Sequence, residues 1–537
     1  MYNVRHPRDA IVAPPPDLKT TEIAIDEAFA SNALLGLPFA QSAWTLLSVV
    51  EDHHFKNFVF APLDATKAAM FADSLLNELT HPLRVCYLRG EKGAHPFERK
   101  LDNYHYELAQ AWLTSAKSYQ HFCSIFPLYH AGLISLRVEG FDLIPDDWSG
   151  TDFRYEVYNR FIGRRDTNQE QPLDPNLIRH ELISCMRVSG GVYSVDFNRR
   201  LVSQLKVAFQ GKLLGRYTLP EHWEFTGFSL AQFQAVFTLL QSMAFAWFAA
   251  RQHAAANGTP GIAFASAVWT PRKTALVMLL SRHSGTPKST VANILKYLTF
   301  GEMGIRQPDI AIQPLVDLTN GQYAVSPFVL TQINAERNLC VLLNKIPNER
   351  RRYSRIVDEK EHHARSETTN SLSGLGLDFR PGQIDDTDID LAIIDRRTKT
   401  CLCVEIKWFI EPAEIREVLE RSEELTEGIA QAFKITKAFN DNNARLMSLL
   451  GIDITYDFLV AVGSVNFIGN HRIQHVDVPI LKLWHLTSQL QKQKRLDDIL
   501  RWLRTRSYLP RREDYRIVQF PIQSGEWHSR WYGIADA

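Results

Sequence analysis

The chain has 537 residues, 45% hydrophobic and 22% charged, which is the balance of a packed protein and excludes a wholly disordered or collagen-like one. Lys and Arg total 60, as do Asp and Glu, so a global basic field for nucleic acid is excluded and any such surface must be local. At roughly 150 residues per domain, the length predicts three or four domains.

Residues 1–20 are polar, carry Pro14, Pro15 and Pro16, and lack the apolar stretch of a signal peptide, so they read as a flexible arm. Residues 21–225 read as an α/β domain without an assignable role. Short strands are expected at Asn57–Ala61, Arg84–Leu88 and Leu133–Val138, and helices at Thr66–Leu79 and Phe97–Tyr119. His53 and His54 have no spaced partner and are expected at the surface. The six cysteines, Cys86, Cys123, Cys185, Cys340, Cys401 and Cys403, include no CxxC pair, which argues against a zinc ribbon and fits a reducing, cytoplasmic setting.

Residues 226–345 read as a helical region. Ser229 is placed to cap a long helix ending near Asn257-Gly258. Its apolar stretch Phe233–Ala250 is interrupted by Gln234, Gln241 and Ser242 and has no basic cluster before it, so a buried core helix is expected and not a membrane span. Helices at Arg272–Arg282 and Lys288–Leu298 follow, then strands at Asp309–Val316 and Gln322–Val329 around Asn320-Gly321. Helix-turn-helix plus hairpin resembles a winged helix, in which Lys288 and Lys296 would contact phosphates; the competing reading is ordinary helix packing.

Residues 346–470 hold the chemistry, after a basic break that includes Arg350, Arg351 and Arg352. Leu391–Ile394 and Cys401–Ile406 are continuous apolar runs joined by the polar turn Asp395-Arg396-Arg397-Thr398-Lys399, the pattern of a buried hairpin. Asp390 begins the first strand, while Glu405 and Lys407 end the second and share a face. The hairpin reversal then brings two carboxylates and an ammonium together at one sheet end. Buried charges need pairing or a metal, and two oxygen ligands with open positions suit Mg²⁺, with Mn²⁺ as the alternative. Such a site fits phosphodiester hydrolysis, with the lysine orienting water or stabilising the transition state.

The pattern DIDLAIID followed by VEIKW resembles the PD-(D/E)xK, restriction-endonuclease-like nuclease superfamily. The resemblance covers about residues 350–465 and implies the order helix, three strands, helix, strand. The first helix would be Tyr353–Glu367, the strands Leu377–Gln383, Asp390–Asp395 and Thr400–Lys407, the second helix Pro412–Phe439 and the last strand Tyr456–Val462. It implies that Asp390 and Glu405 bind metal and that Lys407 is catalytic. A glutamate on the first helix would join them. Glu359 and Glu361 compete, and Glu361 is preferred because it lies four after Val357 on the apolar side. Gln431 matches the glutamine that a subset carries on the second helix, although Ile435 stands where that subset has tyrosine, and the proline of the family name is absent. Asp388 is a second carboxylate or a loop charge, and Asp385, Asp386 and Asp395 are expected in turns. Glu98-Arg99-Lys100 repeats the ExK spacing in a polar helical pattern with no strand-borne aspartate before it.

Charge is segregated. Asp385–Glu427 holds 13 acidic and 6 basic residues. Lys492–Arg512 holds 8 basic residues, among them Lys492, Lys494, Arg495, Arg501 and Arg504, and 2 acidic ones. Residues 471–537 therefore read as a basic helical extension that either holds phosphates or presents a solvated face. The fold expected is a multidomain α/β chain whose C-terminal part is a restriction-endonuclease-like mixed sheet flanked by helices, preceded by α/β and helical, winged-helix-like regions. The function expected is a cytoplasmic metal-dependent nuclease of restriction, repair or defence, acting on DNA first and RNA as the alternative. No membrane partner is expected, and the N-terminal region would receive a second copy or a protein partner. The rivals are a catalytically inactive nucleic-acid-binding protein and a winged-helix regulator.

Overall fold

The computed structural model describes residues 17–536 apart from 61–62, 64, 94–97, 147, 149–150, 163–175, 190, 214–218, 258–259 and 386. The expected arm up to residue 16, and Ala61, Phe97, Gly258 and Asp386, lie outside the described residues.

The N-terminal part is mainly helical, not the expected α/β alternation. Helices α1 (Phe39–Phe55), α2 (Ala65–Arg89) and α3 (Asn103–His130) pack on one another. Segment 57–60 belongs to a π-helical turn that extends α1, and Arg84–Leu88 is the last turn of α2. The reason is periodicity over a longer window. Leu75, Leu79, Leu83 and Cys86 recur every three or four residues and are all buried, so the apolar run near Cys86 closes a helical stripe. Helix α3 begins six residues later than expected, where the Asp102 side chain accepts from His105 N (2.8 Å). Glu98-Arg99-Lys100 lies in a loop before it, with Arg99 bonded to Thr270. His54 is buried among the rings of Phe58, Phe248 and Phe328, contrary to the surface position expected. Two short strands, β1 (Leu136–Glu139) and β2 (Asp142–Pro145), follow α3.

Helix α4 (Leu230–Ala256) threads the largest core. Ser229 and Gln232 form the reciprocal cap that starts it (Gln232 N to Ser229 Oγ 3.3 Å; Ser229 N to Gln232 Oε1 2.9 Å). Its length and composition would suffice to cross a membrane, but most of its apolar stretch is buried inside the protein. The interrupting polar groups are satisfied there: Gln234 donates to Glu336 and Gln241 to Leu330 O, each at 2.7 Å. Helices α5 (Lys273–Ser284) and α6 (Lys288–Tyr297) meet at Gly285, whose φ of 75° closes α5. The hairpin after them, β3 (Leu315–Asp317) and β4 (Tyr323–Val325), is shorter than expected, because Pro327 starts a helix. Val291, Ile294 and Leu295 on α6 face the core, while Lys288 and Lys296 are exposed.

Helix α7 (Pro347–Leu372) links two cores. Its Tyr353 and Ile356 belong to the helical core, and its Ala364 and Leu372 to a second core built on a sheet. That sheet consists of β5 (Asp378–Ile384), β6 (Thr387–Asp395), β7 (Thr400–Lys407), β8 (Asp457–Ser464) and β9 (Ile480–Lys482). It is mixed: β5, β6 and β7 pair antiparallel, while β8 and β9 add parallel, in the spatial order β9-β8-β7-β6-β5. Helix α8 (Ile415–Asn440), between β7 and β8, supplies the crossover that a parallel pair needs. Alternation assigns the faces. Lys407 and Val462 point to α8, while Val404 points the other way, towards Leu483. Both faces are covered, which is why Cys401–Ile406 reads as unbroken apolar residues around one glutamate.

The last part departs from the expected basic helical extension. Helices α9 (Leu483–Gln493) and α10 (Leu496–Arg504) complete the second core through Leu486, Leu490, Leu496, Ile499, Leu500 and Leu503. A hairpin, β10 (Tyr515–Ser524) and β11 (Trp527–Asp536), then joins β1 and β2 in a four-stranded sheet.

Candidate active site

The ladder between β6 and β7 runs from Asp395↔Thr400 to Leu391↔Val404. Beyond it, the Asp390 carboxylate takes over: its Oδ2 accepts from Ile406 N (2.7 Å). This bond fixes Asp390 against the end of β7. Glu405, on the same stretch of β7, is 2% exposed. Its Oε1 meets Lys407 Nζ at 2.9 Å, while its Oε2 is buried without a hydrogen-bond partner. Lys407 Nζ also donates to Gln431 Oε1 (3.0 Å), one turn beyond Gly428 on α8.

The electrostatics follow from this crowding. Burial, then the Asp390 carboxylate, pushes Glu405 up to about 7 against the opposing pull of Lys407. Burial also raises Asp390, opposed by the Ile406 N–H and by Lys407 and Arg365, with Asp388 adding to the rise. Burial disfavours the Lys407 charge, but Glu405 beside it, with Glu361 and Asp390, holds the ammonium above the ordinary lysine value. Lys407 is therefore a cation at neutral pH and serves as a donor. Asp390 and Glu405 are two carboxyls short of compensating positive charge, and the buried Glu405 Oε2 without a partner adds to the deficit.

The sequence residues Asp390, Glu405, Lys407 and Gln431 thus come together. Glu361 joins them through its field on Lys407. Its competitor Glu359 turns elsewhere, accepting from Trp223 Nε1 (2.9 Å) and facing His222. Asp388 lies on β6 two residues before Asp390 and is exposed, and its charge adds to the rise of both carboxyls. Asp385 (φ 48°) occupies a turn as expected, whereas Asp395 is the last residue of β6, pairs with Thr400 in the ladder, and accepts from Arg397 N (2.9 Å) in the turn that follows. Comparison with protein-family models, curated proteins and solved structures finds no match. Among the described residues, no group of three or more His, Cys, Asp or Glu side chains is arranged to hold a metal ion. At this sheet end the Asp390 and Glu405 carboxyls lie together, with Asp388 and Glu361 adding to the local field.

Three residues at or near the site escaped sequence reasoning. Arg365 Nη1 donates to Asp390 O (3.4 Å); its signal was its place four residues after Glu361, on the same helical face. Gly428 makes room for the Lys407 stem, a contact between distant segments that spacing does not reveal. Lys360, 1% exposed, donates to Tyr353 Oη (2.8 Å) and lies 3.9 Å from the ring centroids of both Tyr353 and Trp408. Burial brings its ammonium down to about 8.

The basic candidates divide. Arg350, Arg351 and Arg352 are exposed in the first turns of α7. Arg350 and Arg351 line, with Asn344, Lys345, Pro347 and Ser354, an open cavity of about 350 Å³. At roughly 1.5 Å per residue, Arg350 lies about 16 Å along the helix from Glu361. The arginines of α10 are differently placed. Arg495 pairs with Asp497 (2.6 Å), Arg501 with Asp498 (3.1 Å), and Arg504 with Asp457. Asp457 pairs with Thr400, seven residues along β7 from Lys407, so at about 3.3 Å per residue Arg504 stands roughly 20 Å from the site. Lys492 and Lys494 are exposed beside the end of α7, where Gln491 donates to Ser371 O (2.7 Å). The structure does not bring the C-terminal basic segment to the carboxylates.

Proposed function

We propose that the chain is a metal-dependent nuclease that hydrolyses phosphodiester bonds, with DNA as substrate ahead of RNA, in restriction, repair or defence. The observation that carries this reading is the convergence of Asp390, Glu405 and Lys407 at one end of β6 and β7, with Gln431 on Lys407. The order α7, β5, β6, β7, α8, β8, with β8 parallel to β7, supports a PD-(D/E)xK-type core. The free state of all six cysteines supports a cytoplasmic setting.

Asp390 and Glu405 would hold Mg²⁺, or Mn²⁺ in its place; the buried, unpartnered Glu405 Oε2 and the mutual repulsion of the pair fit a divalent cation. Such an ion, when bound, supplies charge to phosphoryl oxygens and lowers the pKa of water. The chain's own residues do the rest. Lys407, kept cationic by Glu405, donates to the attacking water or to a phosphoryl oxygen as negative charge builds there. Gln431 and Glu405 hold that ammonium in place through two bonds. Arg365 pins the Asp390 backbone. Arg350, Arg351 and Arg352, beyond the site end of α7, would track the nucleic-acid backbone.

The rival winged-helix regulator requires Asp390 and Glu405 to be unrelated charges. Their mutual field and their shared contacts on β7 speak against it. The test is cleavage of plasmid, linear and single-stranded DNA and of RNA in Mg²⁺ and in chelator. Cleavage that needs the metal and disappears in Asp390→Ala supports the reading. Absence of cleavage on all four substrates, or cleavage indifferent to chelator, refutes it.

A further inference from the structure

We propose that Gly428 is a positioning residue for Lys407, its missing side chain setting where the ammonium sits. The functional consequence rests on the nuclease reading above; the geometry does not. Gly428 is buried in the middle of the 26-residue helix α8, where glycine lowers helix stability relative to alanine. Its φ is not positive, so backbone conformation does not require glycine there. Its surroundings do. A Cβ at this position would stand 3.2 Å from Lys407 Cε, and 3.4 and 3.5 Å from the two methyls of Val462. The Val462 distances are ordinary contacts, whereas the Lys407 distance is tight enough to force movement.

The lysine that must move is held at both sides of its head. Nζ reaches Glu405 Oε1 at 2.9 Å and Gln431 Oε1 at 3.0 Å. Gln431 is three residues after Gly428, so one helical face supplies both the gap for the stem and the acceptor for the head. A methyl in the gap pushes the stem away from α8. The four-carbon chain is flexible, and a shift of a few tenths of an ångström at Cε relieves the contact while disturbing the two bonds at its head. Gly428 thus accepts a cost in helix stability that Lys407 placement explains.

The experiment uses the full chain as wild type, Gly428→Ala and Gln431→Ala, with three readouts. Thermal unfolding reports packing. Acetylation of Lys407 by acetic anhydride in metal-free buffer, read by peptide mass spectrometry, reports the position of the ammonium without reference to activity. Plasmid cleavage in Mg²⁺ gives kcat and KM. Gly428→Ala is expected to melt no lower than wild type, to label faster at Lys407, and to lose about tenfold in kcat at unchanged KM, since small misplacements of a catalytic group are costly. Gln431→Ala, which removes the acceptor without adding bulk, is expected to label faster as well. Wild-type labelling in Gly428→Ala overturns the proposal, as does a fall in kcat accompanied only by lower melting, which would assign Gly428 to packing on Val462. If wild type cleaves nothing, the nuclease reading fails, and the labelling result alone decides whether Gly428 sets the position of Lys407.

Discussion

Two buried glutamates show how a single carboxylate separates stability from chemistry. Glu405 sits beside Asp390 with one oxygen unsatisfied, an arrangement that costs stability in the free protein. Glu405→Gln removes the repulsion at constant shape. It is expected to raise the unfolding free energy by about 1 kcal/mol in metal-free buffer while abolishing Mn²⁺ binding, measured by denaturation and by calorimetric titration. A variant less stable than wild type would contradict this. Glu51 lies in the other core, 0% exposed, accepting from Ser326 and Phe328 N, near Arg251. Burial raises it to about 7 from an ordinary value of 4.5. A raised acid contributes stability that is fully present below its unfolded pKa and is lost as pH climbs through the folded one. Wild type should therefore lose about 3 kcal/mol relative to Glu51→Gln between pH 4.5 and pH 7.5, and approach a constant difference above that. Parallel denaturation curves across that window would show that Glu51 is not the titrating group.

At the scale of elements, the sequence was legible where one segment carries its own pattern. The apolar runs of β6 and β7 and the polar turn between them brought Asp390 to the end of β7, because a hairpin is a local object whose register follows from its turn, although β6 begins at Thr387 and not at Asp390. The capped start of α4 and the paired helices α5 and α6 were readable for the same reason. Relations between distant segments were not. Nothing in spacing shows that α8 opens a gap at Gly428 for Lys407, or that Lys360 ends between Tyr353 and Trp408. The α2 stripe was missed because a five-residue window around Cys86 looks like a strand, and only the longer repeat from Leu75 exposes the helix. The basic count of Lys492–Arg512 misled because a count ignores partners. Asp497 and Asp498 neutralise Arg495 and Arg501 on the spot, and Asp457 engages Arg504. The two basic elements therefore differ in expected effect. Arg350→Ala/Arg351→Ala should weaken DNA binding and lower the salt dependence of log K by roughly 1 to 2, about one for each phosphate that is no longer neutralised. Arg501→Ala/Arg504→Ala should leave both unchanged. Fluorescence anisotropy across a salt series distinguishes them, and equal losses in the two pairs would count against the assignment.

Across the whole molecule, the sheet that carries the site is tied to the helical part at several points. Helix α7 belongs to both cores, Trp408 packs against both, and the C-terminal hairpin pairs with β2. Lys360 stands at this junction, bonded to Tyr353, with Trp223 and Trp408 beside it. The residue after Lys407 is thus anchored to the helical core, against which the β6–β7 hairpin packs. Neutral total charge fits this division, since the acidic site and the basic N-terminus of α7 are separate local features. Asp390, Glu405 and Lys407 are proposed to form one hydrolytic centre. The direct measurement is the initial rate of plasmid cleavage in Mg²⁺ by wild type and by Lys407→Ala, with folding of both verified by circular dichroism. The folded variant is expected to cleave about 100-fold or more slowly. A folded Lys407→Ala that cleaves at the wild-type rate would contradict it.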